Sequence, residues 1–101
     1  MSLDPPASSL CPATRAVRAG IDRDPAFGAV VPPLVLSSNF SFAGFGEKRR
    51  YDYTRSGNPT LDLLGETLAG LAGGAGGTVT ATGMAAVALV LHDRLEPGDT
   101  L

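Results

Sequence analysis

A Thr-rich stretch at residues 78–82 that passes through Gly83 into an apolar segment places the strongest constraint on how this chain can fold. The β-branched residues favour a strand over residues 78–81, and the run from Met84 to about Arg94 favours a helix. A strand that turns at a glycine into a helix points backbone N–H groups at one spot, where the helix dipole adds about half a positive charge. The pattern predicts a site for a phosphate or another anion at Gly83 and Met84.

A second stretch, residues 53–60, supplies side chains that such an anion site commonly uses. Arg55 can grip two phosphate oxygens at once, and the phenol of Tyr53 lies two residues before it. Taken alone, Arg55 is more often an ordinary surface residue. Tyr51 and Tyr53 are two positions apart, so they also suit one face of a half-buried strand. Both interpretations stay open on the local sequence.

The most regular helical pattern lies between Asn58 and Gly74. Asn58 can cap a helix and Pro59 is favoured at its first position, while Gly73 and Gly74 are typical of a helix end. Gly65 weakens the helix by roughly 1 kcal/mol relative to Ala. Between these ends, four leucines form one apolar stripe: Leu61, Leu64, Leu68 and Leu71.

The order of elements from residue 59 onward is helix, strand, helix and the start of another strand, which predicts an α/β fold with a mostly parallel sheet. The glycines at residues 73–77 do not form a dinucleotide-binding loop, because a helix precedes them and a strand follows. A turn at residues 96–99 leads into Thr100 and Leu101 as the beginning of a strand. We therefore expect the chain to be a fragment of a longer protein.

The first part of the chain has a different character. Residues 1–12 carry three prolines and three serines and are predicted to be a flexible arm, and residues 14–19 can form one or two helical turns. Residues 28–42 are apolar but broken by Pro32 and Pro33, without a regular period. A segment of this kind usually lies along another surface, which predicts a partner subunit.

Composition narrows the classes of function. The net charge of −2 does not favour nucleic acid or a membrane surface as a partner, and the longest apolar run, residues 84–91, is far short of a spanning helix. The start lacks a secretory signal and Cys11 is the single cysteine, so we expect a cytoplasmic protein. The basic run at residues 48–50, which contains the single lysine Lys48, and the single histidine, His92, are interpreted as solvated or structural.

Several motifs occur in a characteristic order: residues 30–34, 37–40, 51–60, a Leu-rich helix, a Thr-rich strand and residues 82–86. This order resembles the Cys/Met metabolism family of pyridoxal-phosphate-dependent enzymes. The resemblance covers nearly the whole chain but only about the first quarter of such an enzyme. It implies a fold-type I α/β transferase, with residues 1–58 as an intersubunit arm and residues 59–101 as the beginning of the large cofactor-binding domain. It also implies a homotetramer built from dimers.

The resemblance also assigns expected roles to individual residues. Gly83 and Met84 match backbone amides that hold the phosphate of pyridoxal 5'-phosphate. Tyr53 and Arg55 match a pair that reaches from one subunit into the phosphate site of its neighbour. Asp52 matches a residue near the small-molecule amino-acid substrate.

One departure from the family pattern and one absence accompany these matches. Ser56 stands where some members carry a second Arg. No residue of this chain matches the lysine that forms a Schiff base with the cofactor, which in the family lies beyond Leu101. Lys48 is in the wrong place, so the resemblance implies no catalytic residue within these 101 residues.

Within the family, the likeness is greatest to members that catalyse γ-replacement, joining an O-acylhomoserine (O-succinylhomoserine) and cysteine to give cystathionine in methionine biosynthesis. Two alternatives keep the cofactor and change the reaction, namely a γ-lyase acting on cystathionine or methionine and an O-acylhomoserine sulfhydrylase. A third, of another class, is a non-catalytic fragment that serves as an oligomerisation arm. Sequence beyond Leu101 would separate the enzymes from one another.

Overall fold

Three helices form the regular structure of residues 9–101, the part of the chain that this computed structural model describes. Helix α1 spans Pro12–Val17, α2 spans Pro59–Ala72 and α3 spans Gly83–Arg94. None of these helices is long and apolar enough to cross a membrane. The two longer helices lie where the sequence predicts them.

The ends of α2 follow from residues next to them in sequence. The side-chain oxygen of Asn58 accepts a hydrogen bond from the amide of Thr60 at 2.9 Å, and Pro59 occupies the first helical position. At the other end Gly73 adopts a left-handed conformation with φ of 73°, which glycine reaches without steric cost. Both predicted ends of this helix are confirmed.

Helix α1 begins earlier than the sequence indicates. It starts at Pro12 rather than at Thr14, because proline is favoured in the first turn of a helix, so the predicted arm does not extend to residue 12. Residues 1–8 of that arm lie outside the described part of the chain. The guanidinium of Arg15 donates to the carbonyl oxygen of Gly70 and helps to hold α1 against α2.

Residues 38–40 of the amino-terminal segment run antiparallel to residues 52–54. Asn39 and Tyr53 form a bridge, the amide of Phe40 donates to the carbonyl oxygen of Asp52 at 2.9 Å, and residues 54 and 38 are joined by an N–H···O bond of 2.8 Å. A second bridge closes a tight turn at residues 44–47. The carboxyl end of the apolar segment at residues 28–42 is thus hydrogen-bonded to residues 52–54.

The strands predicted at residues 78–81 and at Thr100 are not formed. Residues 9–101 contain two isolated bridges and no longer strand, and residues 78–81 are not helical either. A strand needs a neighbour that donates and accepts its ladder hydrogen bonds, and the described residues place none beside these segments. The parallel sheet therefore stays a prediction.

Few residues are shielded from solvent. Among the described residues only Asn58, Gly65 and Ala69 are buried. The apolar sequence of α3 favours burial on several sides, but α3 has no buried residue in this part of the chain. Three leucines of the α2 stripe also remain 42, 46 and 54% exposed, in the order Leu61, Leu64, Leu68. An apolar face needs an opposing layer, and among the helices of residues 9–101 it is α1 that packs against α2. The Cα radius of gyration is 17.2 Å, compared with about 13 Å for a compact domain of this length.

The closest backbone approach joins the middle of α2 to the segment that follows it. A Cβ atom placed on Gly65 would lie 2.4 Å from the carbonyl oxygen of Gly77, and one placed on Gly77 would lie 2.5 Å from the carbonyl oxygen of Gly65. Only glycine at both positions permits this contact. Gly65, which locally weakens α2, is therefore also the residue that lets residues 76–80 pass beside this helix.

Candidate functional site

The loop at residues 52–57 is a tight turn organised by the carboxylate of Asp52. Its Oδ1 accepts from the amide of Tyr53 at 2.8 Å and lies 2.6 Å from the hydroxyl of Ser56. The carbonyl oxygen of Tyr53 accepts from the Ser56 amide at 2.9 Å, which closes the turn. The hydrogen bond from Ser56, then that from the Tyr53 amide, lower the pKa of Asp52. Asp52 therefore stays ionised, with Oδ2 at 3.6 Å from Nζ of Lys48.

Arg55 and Tyr53 lie together on the outside of this loop. The Cζ atom of Arg55 is 5.3 Å from the centroid of the Tyr53 ring, in the range of a cation–π contact. Both side chains are exposed, and Arg55 forms no ion pair with residues 9–101. The guanidinium is thus held near a phenol and has no carboxylate partner within residues 9–101.

The two tyrosines of the motif play different structural parts. The hydroxyl of Tyr51 donates to Oδ2 of Asp62 in α2 at 2.6 Å, and its ring centroid lies 5.4 Å from that of Phe40. Burial and the hydrogen bond to Asp62 raise the pKa of Tyr51. Tyr51 is therefore a packing residue, whereas Tyr53 is 42% exposed and its ring contacts Arg55.

The basic run beside the motif is exposed but engaged in ion pairs. Arg50 lies 3.1 Å from Oδ2 of Asp62 and 3.6 Å from Oε1 of Glu66, so it joins the loop to α2. Lys48 pairs with Asp52, as described above. The expectation of a merely solvated run is thus incomplete, since two of its three charges have carboxylate partners.

The start of α3 presents unpaired backbone donors. The hydroxyl oxygen of Thr82 accepts from the amide of Ala85 at 3.1 Å, and its carbonyl oxygen accepts from that of Ala86 at 3.2 Å. The amides of Gly83 and Met84 donate to no group within residues 9–101. A Cβ atom on Gly83 would meet nothing within 4 Å, so the position is open to a ligand. The predicted helix start is confirmed; its anion stays a prediction.

The described chain does not bring the loop and the helix start together. A cavity of about 230 Å³ beside Arg55 is lined by residues 54–57, by the first turn of α2 and by residues 77–79, and it does not reach Gly83. No hydrogen bond, ion pair or ring contact joins Arg55 to the first turn of α3 within residues 9–101. The role of Arg55 at that helix start therefore remains a prediction.

The remaining reactive side chains lie elsewhere. Cys11 precedes α1, and the hydrogen bonds that its exposed thiol makes with Thr14 lower its pKa. His92 is exposed in the last turn of α3. Residues 9–101 contain no cluster of three metal-ligating side chains. None of these features adds chemistry to the loop.

The local sequence predicts Asn58 only as a helix cap. The side chain of Asn58 makes two further hydrogen bonds, to the amino-terminal segment and to Thr54. The local sequence gives no signal of the bond to the amino-terminal segment, because its partner, Val35, depends on how residues 35–39 fold back.

Comparison with known proteins places this chain among enzymes of known type. The family model described as "Cys/Met metabolism PLP-dependent enzyme" matches residues 13–101. Cystathionine gamma-synthase of Escherichia coli (strain K12) is 53% identical over 89 residues, which are 88% of this chain and 23% of that protein. L-methionine gamma-lyase of Pseudomonas putida is 41% identical over 95 residues, which are 86% of this chain and 24% of that protein.

Solved structures give the same result. The crystal structure of cystathionine gamma synthase from Xanthomonas oryzae pv. oryzae in complex with cystathionine superposes with a TM-score of 0.85 at 72% sequence identity. The match covers 89% of this chain and 23% of that one, so the chain spans about a quarter of the length of the proteins it resembles. With the family model matched over residues 13–101, the chain belongs to the Cys/Met metabolism family of pyridoxal-phosphate-dependent enzymes.

Proposed function

We propose that this chain is part of a cystathionine gamma-synthase, which joins an O-acylhomoserine, specifically O-succinylhomoserine, to cysteine and forms cystathionine. The observation that carries the proposal is the 72% identity, at a TM-score of 0.85, to a synthase whose structure holds cystathionine. The gamma-lyase relative is less similar, at 41% identity. The greater likeness to synthases favours γ-replacement over elimination.

The residues at the start of α3 and in the loop fit the cofactor that the family requires. The amides of Gly83 and Met84 are free donors at the positive end of a helix, and Arg55 is a cation without a carboxylate partner in the described range. Donors of this kind form charge-assisted hydrogen bonds with a phosphate. We propose that they hold the phosphate of pyridoxal 5'-phosphate, with Tyr53 beside Arg55.

The chain contributes binding and orientation rather than the reacting groups. When bound, the cofactor supplies an electron sink for proton removal from the substrate and loss of its γ substituent. The ionised carboxylate of Asp52 lies next to the proposed phosphate grip, so we place it near the amino-acid substrate. Lys48 is paired with Asp52. We therefore propose that the catalytic lysine lies outside residues 1–101.

The amino-terminal part is proposed to contact another subunit, in a tetramer built from two dimers. Apolar side chains of this part stand in solvent in the isolated chain: Val30 is 72%, Val31 77%, Leu34 76% and Leu36 92% exposed. The division proposed is an arm at residues 1–58 and the start of the large, mostly parallel-sheet domain at residues 59–101. A single cysteine suits the cytoplasm, where we place the enzyme.

Product analysis of the complete protein tests the proposed reaction. With pyridoxal phosphate, O-succinylhomoserine and cysteine, we expect cystathionine as the main product by mass spectrometry, and none when cysteine is left out. Homocysteine formed faster from sulfide than cystathionine is from cysteine would indicate a sulfhydrylase instead. Release of a keto acid from cystathionine or methionine as the fastest reaction would indicate a lyase. Either of these results would refute the proposal.

Sedimentation velocity of the complete protein tests the proposed assembly. We expect a tetramer at micromolar concentration. Leu36→Glu should shift the distribution toward smaller species, because a charge would then have to be buried in a subunit contact. A stable and fully active monomer would contradict the intersubunit role of residues 13–58.

A further inference from the structure

We propose that Asn58 is a positioning residue for the loop at residues 52–57, which carries the proposed phosphate-binding residues Tyr53 and Arg55. Its buried side-chain amide ties Thr54 to the amino-terminal segment and to the start of α2, and so determines where Tyr53 and Arg55 can reach. The inference rests on the proposed function, since it concerns the loop that would grip the cofactor phosphate.

The contacts of Asn58 use both ends of its amide. Among residues 9–101 Asn58 is the one buried polar residue, at 5% exposure. Its Nδ2 donates to the carbonyl oxygen of Val35 at 3.2 Å and to Oγ1 of Thr54 at 3.0 Å, while its Oδ1 accepts from the amide of Thr60 at 2.9 Å. Three separate segments of the chain therefore meet at one amide group.

Thr54 transmits this anchoring to the loop. Its hydroxyl donates to the carbonyl oxygen of Ser37 at 2.9 Å, and its amide donates to the carbonyl oxygen of Ser38 at 2.8 Å. The neighbours of Thr54 in sequence are Tyr53 and Arg55, whose exposed side chains lie against each other. The position of the Thr54 backbone therefore determines where the side chains of Tyr53 and Arg55 leave the chain.

Helix capping alone does not account for asparagine at this position. Ser, Thr and Asp also accept from the amide of the second or third helical residue, so any of them could cap α2. Only an amide side chain adds two N–H donors to that acceptor. The carboxylate introduced by Asn58→Asp would keep the cap but set an oxygen against the carbonyl oxygen of Val35, where a hydrogen bond now lies.

Cofactor titration of the complete protein, with and without the phosphate group, tests the inference. We expect Asn58→Asp and Thr54→Val each to weaken pyridoxal phosphate binding about tenfold, the effect of one lost hydrogen bond. Binding of pyridoxal, which lacks the phosphate, should stay within about twofold, because the loop acts on the phosphate. In an Arg55→Ala background, the same changes should cause no further loss, since the two sites act through one contact.

A matched variant separates positioning from general loss of structure. Thr67→Val removes a hydroxyl that donates to the carbonyl oxygen of Leu63 at 2.7 Å within α2, and it should leave both affinities unchanged. If Asn58→Asp does not fold, Thr54→Val decides alone, since it keeps the shape of the side chain.

The outcomes distinguish this inference from the proposed function. Weaker binding in Arg55→Ala together with unchanged binding in Thr54→Val would refute the role of Asn58 and leave the phosphate grip standing. Equal losses for pyridoxal and pyridoxal phosphate would also refute it, because they indicate a structural role only. Unchanged pyridoxal phosphate binding in Arg55→Ala would refute both the positioning role of Asn58 and the proposed phosphate grip by Arg55.

Discussion

Arg55→Ala in the complete protein is expected to weaken pyridoxal phosphate binding by one to two powers of ten, with little effect on unfolding temperature. Loss of a hydrogen bond to a charged group costs roughly 1.5–3 kcal/mol. The guanidinium is exposed and has no carboxylate partner in residues 9–101, so the fold loses little without it. Arg55→Lys should recover only part of the affinity, because an ammonium cannot form two parallel bonds. Absorbance titration of the apoenzyme measures these affinities.

The matched control for this change is Arg94→Ala. Arg94 is also an exposed arginine, its one ion pair within residues 9–101 is with the adjacent Asp93 at 3.2 Å, and it lies at the far end of α3 from Gly83. Its loss should leave cofactor affinity unchanged. An Arg55→Ala protein that binds the cofactor as tightly as Arg94→Ala would show that Arg55 is an ordinary surface residue.

Mixed oligomers decide whether Arg55 acts across a subunit boundary. Chains with Arg55→Ala are combined with chains that lack the catalytic lysine, each nearly inactive alone. If Arg55 serves the neighbouring site, one site of each mixed dimer contains both intact groups and activity returns. If it serves its own subunit, no site is intact and mixing restores nothing. The structure of one chain, in which Arg55 and the start of α3 do not meet, favours the first result.

Gly65→Ala is expected to destabilise the protein, although a helix favours alanine by about 1 kcal/mol. The new methyl group would lie 2.4 Å from the carbonyl oxygen of Gly77, and backbone on both sides would have to move. Overpacking of this kind costs about 1–3 kcal/mol, so the clash outweighs the gain in helix propensity. Thermal unfolding should show a midpoint lowered by several degrees.

For Gly70→Ala in the same helix we expect no loss of stability. There the added methyl group would meet only the end of the Arg15 side chain, at 3.3 Å, which can move aside. This change should leave stability unchanged or raise it by up to about 1 kcal/mol, as helix propensity alone predicts. If the unfolding midpoint of Gly65→Ala is no lower than that of Gly70→Ala, then α2 does not approach Gly77 as closely as described.

The helix ends show how much the local sequence determined. Asn58 with Pro59, the left-handed Gly73, and Thr82 before Gly83 each mark a boundary that the structure reproduces. A helix end is decided by groups within about four residues of it, since these are the orphan donors and acceptors that must be satisfied. The motif around Arg55 likewise identified the family directly from residue order.

Contacts between distant residues decided the rest. Gly65 is unfavourable by helix propensity, and only the passage of Gly77 beside it explains its presence. Asn58 has the signature of a cap, and only the folding back of residues 35–39 gives its amide the distant partner Val35. The segment at residues 78–81 was predicted as a strand, but a strand needs a pairing partner that the described residues do not place beside it, and the apolar stripe of α2 likewise stays largely exposed. Local sequence determines where an element begins and ends, while burial and strand pairing depend on which surfaces the tertiary structure brings into contact.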